Sequence, residues 1–297
     1  MTGPEAGFLL LSCRLGNPER RVLSTAQMRM LSYRMKDFQT DDPNRDVSSE
    51  DLVKLGYGTD LSNRIVALLE EEDLLLHYLR KAQKAGCVPI PRISPLYPRI
   101  LRERLGEEAP GCLWAKGDLE ILQTPMVSLV GSRDLNPKNA EFAAEAGRQA
   151  ALQGYTLVSG NARGADRTAQ DACLAAGGKV ISIVADSLEK HSVRENVLYL
   201  SEEDFDVDFS SLRALSRNRC IHALGEKVLV AQSSYQNGGT WDGTVKNLRF
   251  RWSEVFCFAD GSPAAELLCQ MGANPVMMEE LSNLCSLTGT EDNFLGR

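Results

Sequence analysis

Two runs decide the fold: Met126-Val127-Ser128-Leu129-Val130-Gly131-Ser132-Arg133, and Tyr155-Thr156-Leu157-Val158-Ser159-Gly160-Asn161-Ala162-Arg163-Gly164-Ala165-Asp166. Each is a short apolar stretch that breaks at small residues, carries an arginine in the break and leads into a helix-like segment. Continuous apolar runs of this length suit strands covered on both faces, which is the habit of a parallel sheet. The pattern continues downstream. Strands are expected at 126–131, 155–159, 179–184, 227–232, 254–259 and 275–277, and helices at 137–153, 165–177, 192–200, 212–224, 243–250, 263–271 and 278–286. Strand and helix in alternation imply a doubly wound α/β fold with a mostly parallel sheet.

Ligands in such sheets bind outside the carboxyl ends of the strands, and both breaks lie at such ends. Gly131 permits a sharp turn and close approach to the main chain. Ser132 offers a hydroxyl and an N–H, and Arg133 offers a planar fork of donors suited to phosphate. The helix behind starts near Pro137, a preferred first-turn residue, and its unpaired N–H groups favour an anion. Ser159, Gly160, Arg163 and Gly164 repeat this logic at the second break. Asp166, in the first turn of the next helix, either caps that helix or orients Arg163. Read singly, each break is also a packed turn with a surface arginine. Read together on parallel strands, they describe one anion crevice.

Two further pieces follow. Ser216-Arg217-Asn218-Arg219 leads a helix to Leu224, inside a segment (213–251) that holds seven Lys/Arg against two acids. Residues 186–208 run the other way, with eight acids and two bases. Then comes Gln236-Asn237-Gly238-Gly239-Thr240-Trp241-Asp242-Gly243-Thr244, a loop whose backbone N–H groups can cradle an anion. Trp241 in it either stacks a base or packs. GxxxxGK[ST] and GxGxxG are both absent, which argues against a P-loop and a nicotinamide site. No motif calls for a cofactor or a metal.

Upstream, residues 1–87 read as a small helical domain. Ser24 caps a helix over 25–38 bearing Met28, Leu31 and Met35. Thr40–Ser49 is a loop, Ser48 opens a further helix, and Asp60 caps the next, with Leu61, Ile65, Leu68 and Leu69 on one face. The helix over 72–85 stops at Gly86. This unit is either a packing or partner domain or a backbone clamp of the helix-hairpin-helix kind. Residues 88–125 are a proline-rich connector whose Leu113 and Trp114 anchor onto the sheet domain (126–286), and 287–297 form a frayed tail. The net charge of −7 argues against a protein coated in basic residues but not against a local basic face. Eight single cysteines without a CxxC pair are expected to be reduced thiols in a cytoplasmic protein. The first residues lack a basic start and the run Phe8–Leu11 is too short for a signal peptide. No apolar run approaches membrane-spanning length, so no membrane partner is expected.

The ordered motifs resemble the DprA/Smf family of DNA-processing proteins: Gly131-Ser132-Arg133, then Ser159-Gly160-Asn161-Ala162-Arg163-Gly164-Ala165-Asp166, then Arg217-Asn218-Arg219, then Asn237-Gly238-Gly239 with Thr244, and Gly261 through Gly272-Ala273. Tyr97-Pro98, Leu101, Pro110, Leu113 and Gly117 resemble the family's lead-in, so the likeness covers about residues 88–280. It implies an extended Rossmann-like domain that holds single-stranded DNA through Gly131, Ser132, Arg133, Ser159, Gly160, Arg163, Gly164, Asp166, Arg217, Asn218, Arg219, Gly238, Gly239 and Thr244. It also implies RecA as a partner and a homodimer; no complete catalytic motif is found, so no catalysis is expected. The chain departs from the family at Ala214-Leu215 (Phe-Pro), Gln232 (Glu) and Gln170 (His), the stretch 184–212 is shorter and more acidic, and no winged helix is expected at the end. Two other functions fit the glycine turns: a nucleoside-monophosphate phosphoribohydrolase using Asp242, and a nucleotide-binding sensor.

Overall fold

The computed structural model describes residues 1–40, 42 and 45–289. Parts of the expected loop at 40–49 and tail at 287–297 therefore lie outside the described residues. The chain divides into two compact units.

The first unit comprises Met1–Tyr97, Pro110–Trp114 and Glu202–Val207. Its helices are α1 (Gly3–Ser12), α2 (Thr25–Arg34), α3 (Ser49–Lys54), α4 (Thr59–Leu69) and α5 (Glu72–Lys84), followed by strand β1 (Val88–Pro91) and the start of β2 (Cys112–Gly117). Reciprocal side-chain caps start three of the helices: Thr2 with Glu5, Ser24 with Gln27 and Ser48 with Asp51. Asp60 sits in the first turn of α4 and Gly58 holds the cap position, so the expected Asp60 cap is not made. Leu11, Leu23, Leu31, Leu52, Tyr57, Ile65 and Leu68 form the core of these helices. A second core stacks Tyr78, Trp114 and Phe205, with ring centroids 5.0–5.5 Å apart. Trp114 packs within the first unit, against Tyr78 and Phe205. The acidic segment 202–207 is consumed in the same place. Tyr78 Oη donates to Asp206 Oδ1 at 2.6 Å, Lys81 pairs with Asp206 at 2.6 Å, and Gly16 N–H donates to Asp204 Oδ2 at 2.9 Å.

The second unit holds α6 (Arg99–Leu105), β3 (Met126–Val130), α7 (Pro137–Leu152), β4 (Thr156–Ser159), α8 (Ala165–Ala175), β5 (Lys179–Ile183), β6 (Val197–Ser201), α9 (Ser211–Ser216), α10 (Asn218–Leu224), β7 (Lys227–Val230), α11 (Gly238–Phe250), β8 (Glu254–Phe258), α12 (Pro263–Gln270) and β9 (Asn274–Val276). Its strands lie in the order β6-β5-β4-β3-β7-β8-β9, and each neighbouring pair is parallel. The fold is the expected Rossmann-like α/β architecture. Every residue of β3, β4 and β6 is buried, as the unbroken apolar runs require. The chain begins mid-sheet at β3, winds out to β6, and returns through α9 and α10 to β7 on the other side of β3. The order of strands reverses there, between β3 and β7. Helices α7 and α8 pack on each other, as do α10 and α11. Gly147 lets α7 meet α8 closely, since a Cβ there would lie 2.0 Å from the Ala169 carbonyl oxygen.

Four expected elements of the second unit differ. The segment 192–200 was expected to be helical, yet Val197–Ser201 is a strand, with Val197 opposite Val180 and all five residues buried. The polar lead Ser192–Glu195 suggests a helix start, but the apolar run Val-Leu-Tyr-Leu finds a sheet neighbour, and pairing overrides local propensity. The helix expected over 212–224 tightens into a turn at Arg217, separating α9 from α10. The helix expected from 243 starts at Gly238, taking in the two glycines that read as loop. Residues 278–286 form a 3₁₀ segment kinked at Asn283.

Candidate functional site

A cleft of about 420 Å³ opens at the β3/β7 reversal, where open α/β sheets bind ligands. Gly131, Ser132 and Arg133 at the end of β3 form one wall, with Ala162 and Asp166. Arg217 and Asn218 form another, and Asn237, Gly238, Gly239 and Thr240 at the start of α11 form a third. A smaller cleft of about 280 Å³ adjoins it, sharing Arg133, Ala162 and Arg217 and adding Gly160, Arg163, Asp186 and Phe209.

The loops that follow β3 and β4 touch each other. Ser132 N–H donates to the Gln232 carbonyl at 2.9 Å, and the Ser132 carbonyl accepts from Ala165 N–H at 3.1 Å. Gly164 has φ +81°, and a Cβ on it would lie 2.4 Å from the Arg133 carbonyl oxygen and 2.5 Å from that of Ser132. The sequence demands glycine here for both the backbone angle and the approach. Gln232 clamps the first loop from β7: its Oε1 accepts from Asn136 N–H at 2.9 Å and its Nε2 donates to the Asp134 carbonyl at 3.1 Å.

The cations divide into three kinds. Arg133 is exposed and has neither a hydrogen bond nor an ion pair among the described residues, although it lines both clefts. Arg163 pairs with Asp134 at 3.0 Å, both side chains exposed, an arrangement that contributes little and leaves the arginine available. Arg217 is buried. It donates to the Ile183 carbonyl and lies flat against Gly160, where a Cβ would clash with its guanidinium. Asp166 is buried beside it and accepts from Ala162 N–H at 3.1 Å, so it fixes the second break and does not orient Arg163. Burial pushes the Asp166 carboxyl above its usual range, and Arg217 opposes that shift.

Four expected residues do not reach the clefts through their side chains. Ser159 is fully buried and accepts from Gln170 Nε2 at 2.6 Å. Arg219 turns away, donating to the Glu108 carbonyl at 2.9 Å and the Ser216 carbonyl at 2.7 Å. Thr244 is fully buried inside α11. Trp241 is also buried, beside Tyr235 with ring centroids 6.2 Å apart, and is no platform for a base. Arg213 and Lys227, counted in the basic segment, are likewise engaged with main-chain carbonyls. The local excess of charge therefore does not converge on one face. Asn218 Nδ2 donates to the Gly239 carbonyl at 3.0 Å and fastens α10 to α11.

Sequence reading missed two residues. Phe209 is 54% exposed and lines the smaller cleft, though its only signal was an aromatic ending an acidic run. His222 is fully buried and lines the larger cleft, and nothing in the sequence marked it.

A family profile described as DNA recombination-mediator protein A matches residues 90–258, more than half of the chain. The chain belongs to the DNA recombination-mediator protein A family. The resemblance to DprA/Smf proteins is thereby confirmed, with relatives in several bacteria. DNA processing protein DprA of Streptococcus pneumoniae is 31% identical over 172 residues, covering 54% of this chain and 59% of that protein. Protein Smf of Escherichia coli is 28% identical over 190 residues, covering 60% and 50%. The chain thus spans between half and three fifths of the length of these curated relatives. Among solved structures, the DprA of S. pneumoniae superposes with a TM-score of 0.69 at 22% identity, covering 98% of this chain and 99% of that one. A DNA processing protein A from Helicobacter pylori, described for its single-stranded DNA binding mode, superposes with a TM-score of 0.56 at 23% identity over 66% of this chain and 94% of that one. Both likenesses concern the fold. Among the described residues, no helix is long and apolar enough to cross a membrane, no cluster of His, Cys, Asp or Glu could hold a metal ion, and no disulfide joins the cysteines.

Proposed function

We propose that this member of the family binds single-stranded DNA along the two adjoining clefts. Backbone phosphates meet Arg133 and Arg163, the main chain of Gly131, Ser132, Gly160 and Gly164, and the start of α11 at Gly238 and Gly239. Arg217, Asn218 and Asp166 hold these walls in place. The observation that carries this reading is Arg133: an exposed guanidinium, without a hydrogen-bond or ion-pair partner among the described residues, shared by both clefts. An unpaired five-donor fork beside a helix start is suited to a phosphate oxyanion. Handing the strand to RecA and self-association of the sheet unit are proposals that rest on the family resemblance. The phosphoribohydrolase reading loses its carboxylate, because Asp242 is exposed on α11 and lines neither cleft.

The test is fluorescence anisotropy of labelled oligo-dT titrated with the full chain. Micromolar or tighter binding at low salt, weakening as salt rises through counterion release, supports the reading. Failure to bind at low salt overturns it.

A further inference from the structure

Phe209 lies just before α9 and lines the smaller cleft, half exposed. The backbone on either side of it is fastened. Arg213, a buried residue of α9, donates through Nη1 to the Asp208 carbonyl at 2.8 Å and to the Ala185 carbonyl at 2.9 Å, and through Nη2 to Ser201 Oγ at 3.1 Å. Ser210 Oγ accepts from Arg213 N–H at 3.1 Å and caps the helix. One buried arginine thus ties the turn that carries Phe209 to the carboxyl ends of β5 and β6. A lone exposed phenyl ring is ordinary on a protein surface, but this one shares a cleft with Arg133 and Arg163. It stacks on no other aromatic ring among the described residues. The lining follows three neighbouring parallel strands: Arg133 comes after β3, Gly160 to Arg163 after β4, and Ala185 and Asp186 after β5. Donors suited to phosphate therefore lie on the β3 and β4 side. The β5 side offers the Phe209 ring and the Asp186 carboxylate, which repels a phosphate.

We propose that Phe209 is a base-stacking contact of this cleft: a nucleotide whose phosphate meets Arg133 and Arg163 lays its base on the Phe209 ring at the β5 side. The inference rests on the proposed binding of single-stranded DNA and supplies a base contact that the buried Trp241 does not make. Every base has a π-face, so the contact tolerates any sequence. It selects for strand state instead, because a base inside a duplex must be unstacked and unpaired before it can reach a side chain of this kind. Arg213 acts as a positioning residue, holding the turn so that the ring faces the cleft at little cost in ordering when DNA arrives.

The experiment compares labelled oligo-dT with an abasic strand of the same length, which keeps the phosphates and lacks the bases. Both are titrated with the full chain at low salt and followed by anisotropy. Phe209→Ala is expected to weaken oligo-dT binding on the order of tenfold, to leave abasic-strand binding within about twofold, and to leave the salt dependence of oligo-dT binding unchanged, since no phosphate contact is removed. Phe209→Trp, which keeps an aromatic face, is expected to bind oligo-dT within about twofold of the wild type. The chain's own Trp114, Trp241 and Trp252 are buried, so the fluorescence added by this variant reports on position 209. It should be quenched by oligo-dT and not by the abasic strand. If the wild type binds oligo-dT but Phe209→Ala binds it equally well, or loses both strands alike, the inference is lost and the DNA reading stands. An added indole that oligo-dT leaves unquenched at saturation also overturns it, and this readout does not depend on how the alanine variant folds. If the wild type binds no oligo-dT, both the inference and the DNA reading are lost.

Discussion

Gly164→Ala tests whether the two strand-end loops are stapled together as described. Two costs add. The first is conformational: at φ +81° and ψ −129° the backbone lies in a region that residues with a Cβ scarcely populate, a strain of about 1–3 kcal/mol. The second is steric: the new Cβ would stand 2.4 Å and 2.5 Å from the carbonyl oxygens of Arg133 and Ser132. Those atoms are main chain, and the adjacent Ala165 N–H to Ser132 carbonyl bond at 3.1 Å holds the loops together. Forcing packed backbone apart adds about 1–3 kcal/mol, for a total of roughly 2–6 kcal/mol against a typical domain stability of about 5–15 kcal/mol. Gly154→Ala supplies the control. Gly154 has φ +77° and nothing within 4 Å of its added Cβ, so it bears strain alone, about 1–2 kcal/mol. Urea unfolding of the full chain, followed by far-ultraviolet circular dichroism, should give Gly164→Ala a midpoint clearly below that of Gly154→Ala. Equal midpoints for the two variants would refute the close contact between the loops.

Three further outcomes follow from the geometry. Asp166 has a carboxyl raised above its unfolded value of 3.8 by burial, so its contribution to stability is fully present below that value and is lost as pH rises through the folded pKa. The stability difference between the wild type and Asp166→Asn, taken from urea midpoints between pH 3 and pH 7 (about the carboxylate range), should therefore shift against the wild type as pH rises, and a flat difference would contradict the burial. Arg219→Ala, whose guanidinium is held by the Glu108 and Ser216 carbonyls, should leave oligo-dT affinity within about twofold, measured by anisotropy. Trp241→Phe should also keep oligo-dT affinity within about twofold while lowering the urea midpoint, because a buried ring packs and does not stack a base.

Much of this was legible in the sequence because the signals were local. The apolar runs ending in Gly131 and Gly160 each become a buried parallel strand, and Arg133 lies where its motif suggests. What escaped is non-local. Arg217 and Arg219 are two residues apart, yet one lines the clefts and the other bonds to a carbonyl 111 positions away, since a short helical step turns them to opposite sides. Val197–Ser201 needed a neighbouring strand to declare itself. Asp204 and Asp206 look like part of an acidic surface run, but their partners Gly16, Tyr78 and Lys81 are more than a hundred residues upstream. His222 and Phe209 belong to no periodic pattern, and only the return of the chain to β7 places them at the clefts.

The central claim rests on Arg133, and its most direct test is the salt dependence of oligo-dT binding by the wild type and Arg133→Ala. Losing one phosphate contact should weaken binding about tenfold at low salt and reduce the slope of log affinity against log salt by about 0.7. The fold should be unchanged, because the Arg133 side chain is exposed and makes no hydrogen bond or ion pair among the described residues. Binding by Arg133→Ala that matches the wild type in both affinity and slope would contradict the assignment of the clefts to a DNA backbone.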